Sequence, residues 1–354
     1  MICFLMRYVE GYILQYDERW KFIKGSIGFE NGIIKKILDR PNRKPAARGV
    51  IIPRLVNAHT HIGDAVVKNV SGRLEELVAP PNGLKFRVLR KSSDKEIVDA
   101  MKKTVDDMFF SGVSVFCDFR EFGIKGINQL NNALKNKQMK CVKMGRPEKL
   151  EYRREEVNKI LGKTDGIGVS SISDWDYFEL KKLAEHTKRK NKMFALHVSE
   201  RIREDIDKVL DLRPDFLIHM TKASESDLEI AADSNVPVVV CPRSNVFFGN
   251  IPNIPLMIKK CLTLLLGSDN AMINNPDIFT EMEFAYKISR LRGGVEPETI
   301  FNMVTINPWN LFKVRGGIEE GGSADFLVLN THSSMDAIVK CSSRHISFIG
   351  VGNV

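Results

Sequence analysis

The chain has 354 residues, a formal net charge of +9 and 27% charged residues, which suits one large domain and a smaller second one. No apolar run approaches the roughly 20 residues of a membrane-spanning helix, and the first residues lack signal-peptide features. We therefore expect a cytoplasmic protein that does not bind membranes. The basic residues are mixed with acidic ones, as in 151–156, which favours solvated helix faces over a nucleic-acid surface.

The first and last parts of the chain carry β patterns. Asn31-Gly32 is a strong hairpin-turn signal within a strand-like stretch. Another strand-like run, 324–329, follows Gly321-Gly322-Ser323. We expect residues 1–48 and 320–354 to form one small composite β-sandwich domain beside a larger domain, 49–319.

The stretch 49–319 alternates short apolar runs with amphipathic helical patterns. The spacing predicts helices over 94–111, closed by Gly112, and over 277–291, with a third after the capping residue Ser224. Eight strand-helix units in this order predict an α/β fold, a (β/α)8 TIM barrel. The predicted strands are 49–58, 113–117, 139–144, 166–169, 194–198, 215–218, 236–240 and 262–266.

Histidines and one aspartate follow several of these runs. His59 and His61 are separated by one residue, so on an extended strand both imidazoles point to the same side. His197, His219 and Asp269 each come just after a further run. A lone strand histidine is more often a hydrogen-bonded core residue, but five such residues share the active-site face of a barrel. Imidazoles with a carboxylate suit Zn²⁺ or Fe²⁺.

Other polar residues have simpler interpretations. His186 lies in a polar helical stretch, 179–190, and is predicted to be exposed. The six cysteines include no C-x-x-C pair, which favours buried free thiols over metal ligation.

The chain resembles the amidohydrolase superfamily over nearly its whole length. It is most similar to the mononuclear branch that holds the cytosine, guanine and S-adenosylhomocysteine deaminases and the triazine chlorohydrolases. The matching segments are Asn57-Ala58-His59-Thr60-His61, His197-Val198-Ser199-Glu200, His219, Cys241-Pro242-Arg243-Ser244-Asn245, Gly267-Ser268-Asp269-Asn270, Thr305-Ile306-Asn307-Pro308 and the closing stretch 316–329.

The resemblance implies one divalent metal ion, Zn²⁺ or Fe²⁺, held by four side chains: His59, His61, His197 and Asp269. It further implies that His219 polarises the bound water or touches the metal, that Glu200 protonates a substrate ring nitrogen, and that Asp269 accepts a proton from the water. A divalent metal lowers the pKa of bound water to about 7, and the hydroxide attacks an electron-poor ring carbon.

The superfamily also has binuclear members, in which a carboxylated lysine ends strand 4. The corresponding region here, 166–173, contains no lysine. The sequence therefore favours a single metal and disfavours hydantoinase or dihydroorotase chemistry.

Substrate recognition is less specified by the sequence. By resemblance, Arg243 and Asn245 are candidate substrate contacts, although Asn245 could equally fix its loop. Arg73 belongs to the loop after the first barrel strand, which either covers the site as a lid or contains passive turns.

The sequence thus predicts an enzyme, a metal-dependent deaminase of an aromatic nitrogen heterocycle such as a nucleobase, nucleoside or pterin. Alternatives are cleavage of another C–N or C–Cl bond on a ring, a non-catalytic metal-binding barrel and, on charge alone, a nucleic-acid-binding scaffold. We expect a small heterocyclic substrate and no nucleic-acid partner. Members of the superfamily often form homo-oligomers, so the resemblance makes a homo-oligomer a candidate, although no segment of the sequence fixes the oligomeric state.

Overall fold

The computed structural model describes residues 6–40 and 44–352, so the predicted thiol Cys3 lies outside it. The described residues form two β-sheets and the helices that cover them. The strands, in chain order, are β1 Arg7–Asp17, β2 Arg19–Glu30, β3 Ile33–Leu38, β4 Ala47–Pro53, β5 Leu55–His61, β6 Val113–Arg120, β7 Lys140–Gly145, β8 Gly166–Val169, β9 Met193–Val198, β10 Phe216–His219, β11 Val238–Val240, β12 Leu264–Leu266, β13 Asp269–Asn270, β14 Phe326–Leu329 and β15 Ile346–Ile349.

The larger sheet is a closed parallel barrel. Its order is β12-β11-β10-β9-β8-β7-β6-β5-β13. Strands β12 and β13 are two pieces of one barrel strand, because β12 pairs with β11 while β13, only three residues further on, pairs with β5. Eight strand positions therefore close the ring, and the predicted (β/α)8 barrel is confirmed.

Helices follow the barrel strands in the order expected of this fold. They are α1 Leu74–Val78, α2 Leu84–Lys91, α3 Asp94–Phe110, α4 Gly123–Ala133, α5 Arg154–Leu161, α6 Tyr177–Arg189, α7 Ile206–Asp211, α8 Glu225–Asp233, α9 Pro242–Phe247, α10 Ile254–Lys259, α11 Ile278–Ser289, α12 Pro297–Asn302, α13 Ile306–Phe312 and α14 Met335–Val339. Short 3₁₀ turns occur at Ile62–Val66, Ile172–Asp174, Arg290–Arg292 and Ser343–His345.

The predicted helix termini are visible as capping contacts. Ser224 Oγ accepts a hydrogen bond from the amide of Asp227, and the Asp227 carboxylate accepts one from the amide of Ser224, which forms a capping box at the start of α8. Gly112 follows α3 with a φ of +88°, a left-handed conformation that favours glycine.

The smaller sheet combines the two ends of the described chain in the order β15-β14-β4-β1-β2-β3. The Asn31-Gly32 turn between β2 and β3 has positive φ at both residues, as the predicted hairpin requires. The sheet curls over itself, since Phe29 of β2 packs 5.3 Å from Phe326 of β14 between ring centroids. This two-layered arrangement agrees with the predicted small β domain.

The junction between the two sheets lies within the apolar run 49–58, which reads as a single strand in the sequence. Strand β4 pairs with β1 and β14 in the small sheet, whereas β5 begins only two residues later in the barrel. The run is therefore two strands rather than one. A domain division at 48/49 remains a prediction, although β4 crosses that position.

Two expectations about burial are wrong. His186 is only 5% exposed, because its ring lies between Tyr152 and Asn158 and is hydrogen bonded to both. Of the five free cysteines among the described residues, Cys261 is exposed rather than buried. None of the helices that the structure describes combines the length and apolar character needed to cross a membrane.

Candidate active site

Four of the predicted metal ligands converge at the carboxyl ends of the barrel strands. Donor atoms of His59, His61, His197 and Asp269 all lie within 4.8 Å of one another, and all four residues are buried. Asp269 Oδ1 is 3.4 Å from His59 Nε2 and 3.6 Å from His61 Nε2. Donor atoms around a tetrahedral zinc ion, with bonds of roughly 2.0–2.1 Å, stand about 3.4 Å apart, so these spacings fit such an ion.

The tautomers of two imidazoles support the same conclusion. His197 Nδ1 donates to the carbonyl oxygen of Val169 at 2.8 Å, and His61 Nδ1 faces the Glu121 carboxylate at 3.0 Å. Each Nε2 of these neutral rings therefore carries a lone pair. The two Nε2 atoms nevertheless lie 3.3 Å apart, which is repulsive unless a cation sits between them. Mainly because both rings are buried, the pKa of His61 is lowered to about 3 and that of His197 well below its usual value. Both rings are therefore neutral at neutral pH.

Hydrogen bonds hold the strands that carry the candidate metal ligands in register. In β5, the side-chain amide of Asn57 donates to Ser268 Oγ at 2.7 Å and accepts from the Ser268 amide at 3.0 Å. Asp118 accepts from Thr60 Oγ1 and from the amide of Ile62. The chain around His59 and His61 is thereby fixed to the broken last strand on one side and to β6 on the other.

Glycine at two positions permits close packing around the ligands. A Cβ atom at Gly63 would lie 1.7 Å from Arg120 Nη1, and one at Gly267 would lie 2.7 Å from the Cβ of His59. Neither position has room for a larger residue. The Arg120 guanidinium can therefore reach Glu121, its ion-pair partner at 2.5 Å.

Glu200 and His219 stand beside the four-residue cluster. Glu200 Oε2 is 3.4 Å from His219 Nε2, and donor atoms of these two residues and Asp269 lie within 4.8 Å of one another. Burial, followed by the negative charge of Asp269, raises the pKa of Glu200 well above its usual range. Burial lowers the pKa of His219 to about 4. A carboxyl group that retains its proton here is suited to proton donation.

An open cavity lies over these side chains, with about 590 Å³ of empty space including the adjoining solvent. Its walls come from the loops after β5, β7, β8 and β9 and from residues of β10 and β13 themselves. The lining residues are His61, Leu74, Val78, Ala79, Pro80, Lys85, Arg146, Ser170, Ser171, Asp174, His197, Glu200, Arg201, His219, Asp269 and Asn270. The loop after β5, including α1 and α2, thus forms one wall of the cavity.

The three predicted substrate contacts are not among the lining residues. Arg243 forms an ion pair with the buried Glu281 and donates to the carbonyl of Asn275. Asn245 is fully buried, and its side-chain amide lies 3.0 Å from His219 Nδ1. Arg73 precedes α1 as its N-terminal capping residue. In this conformation none of the three side chains lines the cavity, and their contact with a substrate stays a prediction.

The sequence interpretation missed the charged residues behind the candidate metal ligands. Glu121 follows β6, Arg146 follows β7, and Lys85 lies on α2; they are 1%, 6% and 2% exposed. Arg146 and Lys85 also line the cavity. A signal was present, because Asp118, Arg120 and Glu121 come at the end of a barrel strand, as the candidate metal ligands do.

Comparison with known proteins places this geometry in a family. The model of the amidohydrolase family matches residues 50–353. The chain belongs to the amidohydrolase family. This membership confirms the predicted superfamily and its hydrolase class.

Curated relatives of the chain are similar along most of their length. An uncharacterized protein of Methanocaldococcus jannaschii is 37% identical, over 88% of this chain and 87% of its own. A putative aminohydrolase of Methanothermobacter thermautotrophicus is 33% identical, with 90% and 91% covered. A 5-methylthioadenosine/S-adenosylhomocysteine deaminase of Pyrococcus horikoshii is 27% identical, with 92% and 86% covered.

Solved structures share the fold at low sequence identity. An adenosine deaminase of Xanthomonas campestris with bound zinc has a TM-score of 0.78 at 15% identity, with 97% of this chain and 91% of the other covered. An atrazine chlorohydrolase of Arthrobacter aurescens, complexed with zinc, has a TM-score of 0.77 at 13% identity, with 99% and 96% covered. Both show that the barrel with its small sheet domain is shared.

Proposed function

We propose that this amidohydrolase is a metal-dependent aminohydrolase that deaminates an aromatic nitrogen heterocycle. The observation that carries the proposal is the pair of facing Nε2 lone pairs of His61 and His197, 3.3 Å apart, beside a carboxyl group suited to proton donation. The similarity to a 5-methylthioadenosine/S-adenosylhomocysteine deaminase supports a nucleoside-like or nucleobase-like substrate.

The residues proposed to hold the metal are His59, His61, His197 and Asp269. This donor set fits Zn²⁺ and also Fe²⁺, and zinc is favoured because the site has the spacings of a tetrahedral ion. The metal, when bound, supplies Lewis-acid activation of water near neutral pH. Nothing in the region 166–173 offers a lysine for a second metal.

The remaining steps fall to side chains of the chain. Glu200 delivers a proton to the ring nitrogen beside the attacked carbon, where electron density builds up. Asp269 accepts the proton released from water, and His219 orients the water and the Glu200 carboxyl group. The overall reaction exchanges an amino group for a carbonyl oxygen and releases ammonia, with one water consumed.

The test is ammonia release from purines, pyrimidines, pterins and their nucleosides by protein whose metal content is quantified on the same sample. We expect one substrate class to release ammonia at about one metal per chain. Chloride release from chlorinated triazines, measured in parallel, tests the alternative leaving group. No release of either product by fully metallated protein would contradict the hydrolytic proposal and favour a non-catalytic barrel.

We also propose a cytoplasmic location, supported by free thiols at the five described cysteines, since such thiols persist in reducing compartments. A homo-oligomer and the absence of a nucleic-acid partner stay predictions.

A further inference from the structure

A buried lysine connects the loop over the cavity to one of the metal ligands. Lys85, the second residue of α2, is 2% exposed. Its Nζ lies 2.5 Å from Glu121 Oε1 and 3.6 Å from Asp64 Oδ2. The same Glu121 oxygen is 3.0 Å from His61 Nδ1. One carboxylate oxygen is therefore shared between the loop lysine and the imidazole.

The second Glu121 oxygen is already engaged. Glu121 Oε2 accepts from Arg120 Nη2 at 2.5 Å, so Arg120 and Lys85 hold the carboxylate from two sides. With both in place, Oε1 lies within hydrogen-bond distance of His61 Nδ1. A carboxylate so oriented keeps the proton of His61 on Nδ1 and turns Nε2 toward the metal-ligand cluster, which is how outer groups tune metal-binding histidines.

Lys85 is also well placed to couple metal binding to the position of the loop that forms one wall of the cavity. The segment Leu74–Lys91 contains α1 and α2, and Leu74, Val78, Ala79, Pro80 and Lys85 form one wall of the cavity. A second ion pair of the segment, Glu75 with Arg201, is long at 4.0 Å and partly exposed, and such pairs contribute little. The buried Lys85 contact is thus the strong polar connection between this wall and the metal-ligand shell.

We propose that Lys85 is a positioning residue that makes metal affinity depend on closure of the segment Leu74–Lys91, by holding Glu121 against His61. The inference rests on the metal site of the proposed function but not on the substrate or the reaction. Coupling between two equilibria is reciprocal. Closure of the segment strengthens metal binding, and a bound metal favours the closed segment.

The first experiment measures Zn²⁺ affinity by competition with a chelator of known affinity. We expect Lys85→Met to bind Zn²⁺ roughly 10- to 100-fold more weakly, the usual effect of losing an outer partner of a metal-binding histidine. Lys91→Met, in the same helix but exposed, is the matched control and should bind as the wild type does. Lys85→Arg, which keeps the charge, should recover part of the affinity. Unchanged affinity in folded Lys85→Met would overturn the proposal.

Packing should allow Lys85→Met to fold, because α2 is also anchored by Phe86 and Leu89, which are 6% and 4% exposed. A purely structural role for Lys85 would lower the melting temperature of the metal-free protein and leave zinc affinity unchanged.

The second experiment needs no variant. Amide hydrogen exchange over residues 74–91 of the wild type is compared with and without Zn²⁺. We expect zinc to slow exchange in this segment, whereas equal exchange rates would refute the coupling. Both experiments are independent of turnover, so a failed deaminase assay would leave this inference standing.

Discussion

Asp269 Oδ1 lies 3.4 Å from His59 Nε2, and although both atoms are buried, neither has a hydrogen-bond partner among the described residues. Burial alone would raise the pKa of Asp269, but the neighbouring His59 and His219 hold it well below its usual value. The carboxylate is therefore ionised at neutral pH. It is available both to a metal ion and to a proton.

Replacing this carboxylate should separate chemistry from folding. We expect Asp269→Asn to lower kcat by roughly 10²- to 10⁴-fold, the range of a lost general base, while the barrel remains folded, because the amide keeps the shape of the carboxyl group. Ammonia release and thermal melting measure the two effects. Ser244→Ala, which removes the hydroxyl donor to Asp269 Oδ2 at 2.5 Å, should cost no more than about tenfold. Near wild-type turnover in Asp269→Asn would refute the proton-accepting role.

Glu200→Gln should retain the metal and lose most activity. The raised pKa of Glu200, caused first by burial, keeps its proton at pH values where an exposed carboxyl is ionised. Wild-type kcat/KM should therefore decline as pH rises through that pKa. The variant, reduced by about 10²- to 10⁴-fold, should lack this alkaline limb. Metal content measured on the same preparation is decisive, since a loss of metal would make Glu200 a ligand.

The metal-free protein should lose stability in acid through its buried histidines. Burial lowers the pKa of His61 to about 3 and of His219 to about 4, from about 6.5 in the unfolded chain. The folded state thus binds fewer protons across this window, so stability is full above pH ~6.5 and falls as pH drops toward 4. Burial raises the pKa of Asp64 to about 7. The folded state binds more protons at this group than the unfolded state does, so Asp64 contributes a stability that increases as pH falls.

Melting temperatures of chelator-treated protein between pH 4 and pH 7 check this, with His219→Gln as the comparison. The variant should show a shallower pH dependence than the wild type. Equal slopes would mean that His219 is protonated as readily in the folded state as in the unfolded state.

Gly63→Ala should disturb the metal site indirectly, by displacing the Arg120 side chain that contacts Glu121. The new Cβ would lie 1.7 Å from Arg120 Nη1, so Arg120 must move away from Glu121. We expect a loss of about 1–3 kcal/mol in the free energy of unfolding, as in other overpacked sites, together with weaker zinc binding. Gly162→Ala is the control, because its nearest atom would be 3.4 Å away. Denaturant unfolding of both variants measures the difference.

Arg243→Ala distinguishes a structural role from a substrate contact. Glu281 is fully buried, and the Arg243 guanidinium is its ion-pair partner. Removal of one partner leaves a buried charge uncompensated, so we expect destabilisation of about 3 kcal/mol with little change in KM. A raised KM with an unchanged melting temperature would restore the predicted substrate contact.

The sequence was sufficient to predict the barrel because each strand is a short, buried, apolar run, as is typical of parallel strands. All eight predicted strands overlap an observed one. The split between β4 and β5 could not be seen, since both strands are fully or largely buried and hydropathy does not reveal which sheet a strand joins.

At the site, the sequence was informative where residue type alone restricts the chemistry. Histidines and an aspartate at strand ends predicted a cluster, and the structure brings them together. Lys85 and Arg146 escaped notice because lysine and arginine are normally surface residues, and only the three-dimensional fold shows their burial. The sequence also left the role of Asn245 ambiguous, because a side-chain amide can contact either a substrate or an imidazole.

The position of β14 between β4 and β15 in the small sheet bears on how the protein is made. As the chain leaves the ribosome, β1 to β4 can pair early, but the outer edge of β4 stays open until residues 326–329 have been synthesised. That edge includes the buried Val50, Ile51 and Ile52, and exposed apolar edges promote aggregation. A sheet that begins before the barrel strands therefore depends for its completion on a strand made after them.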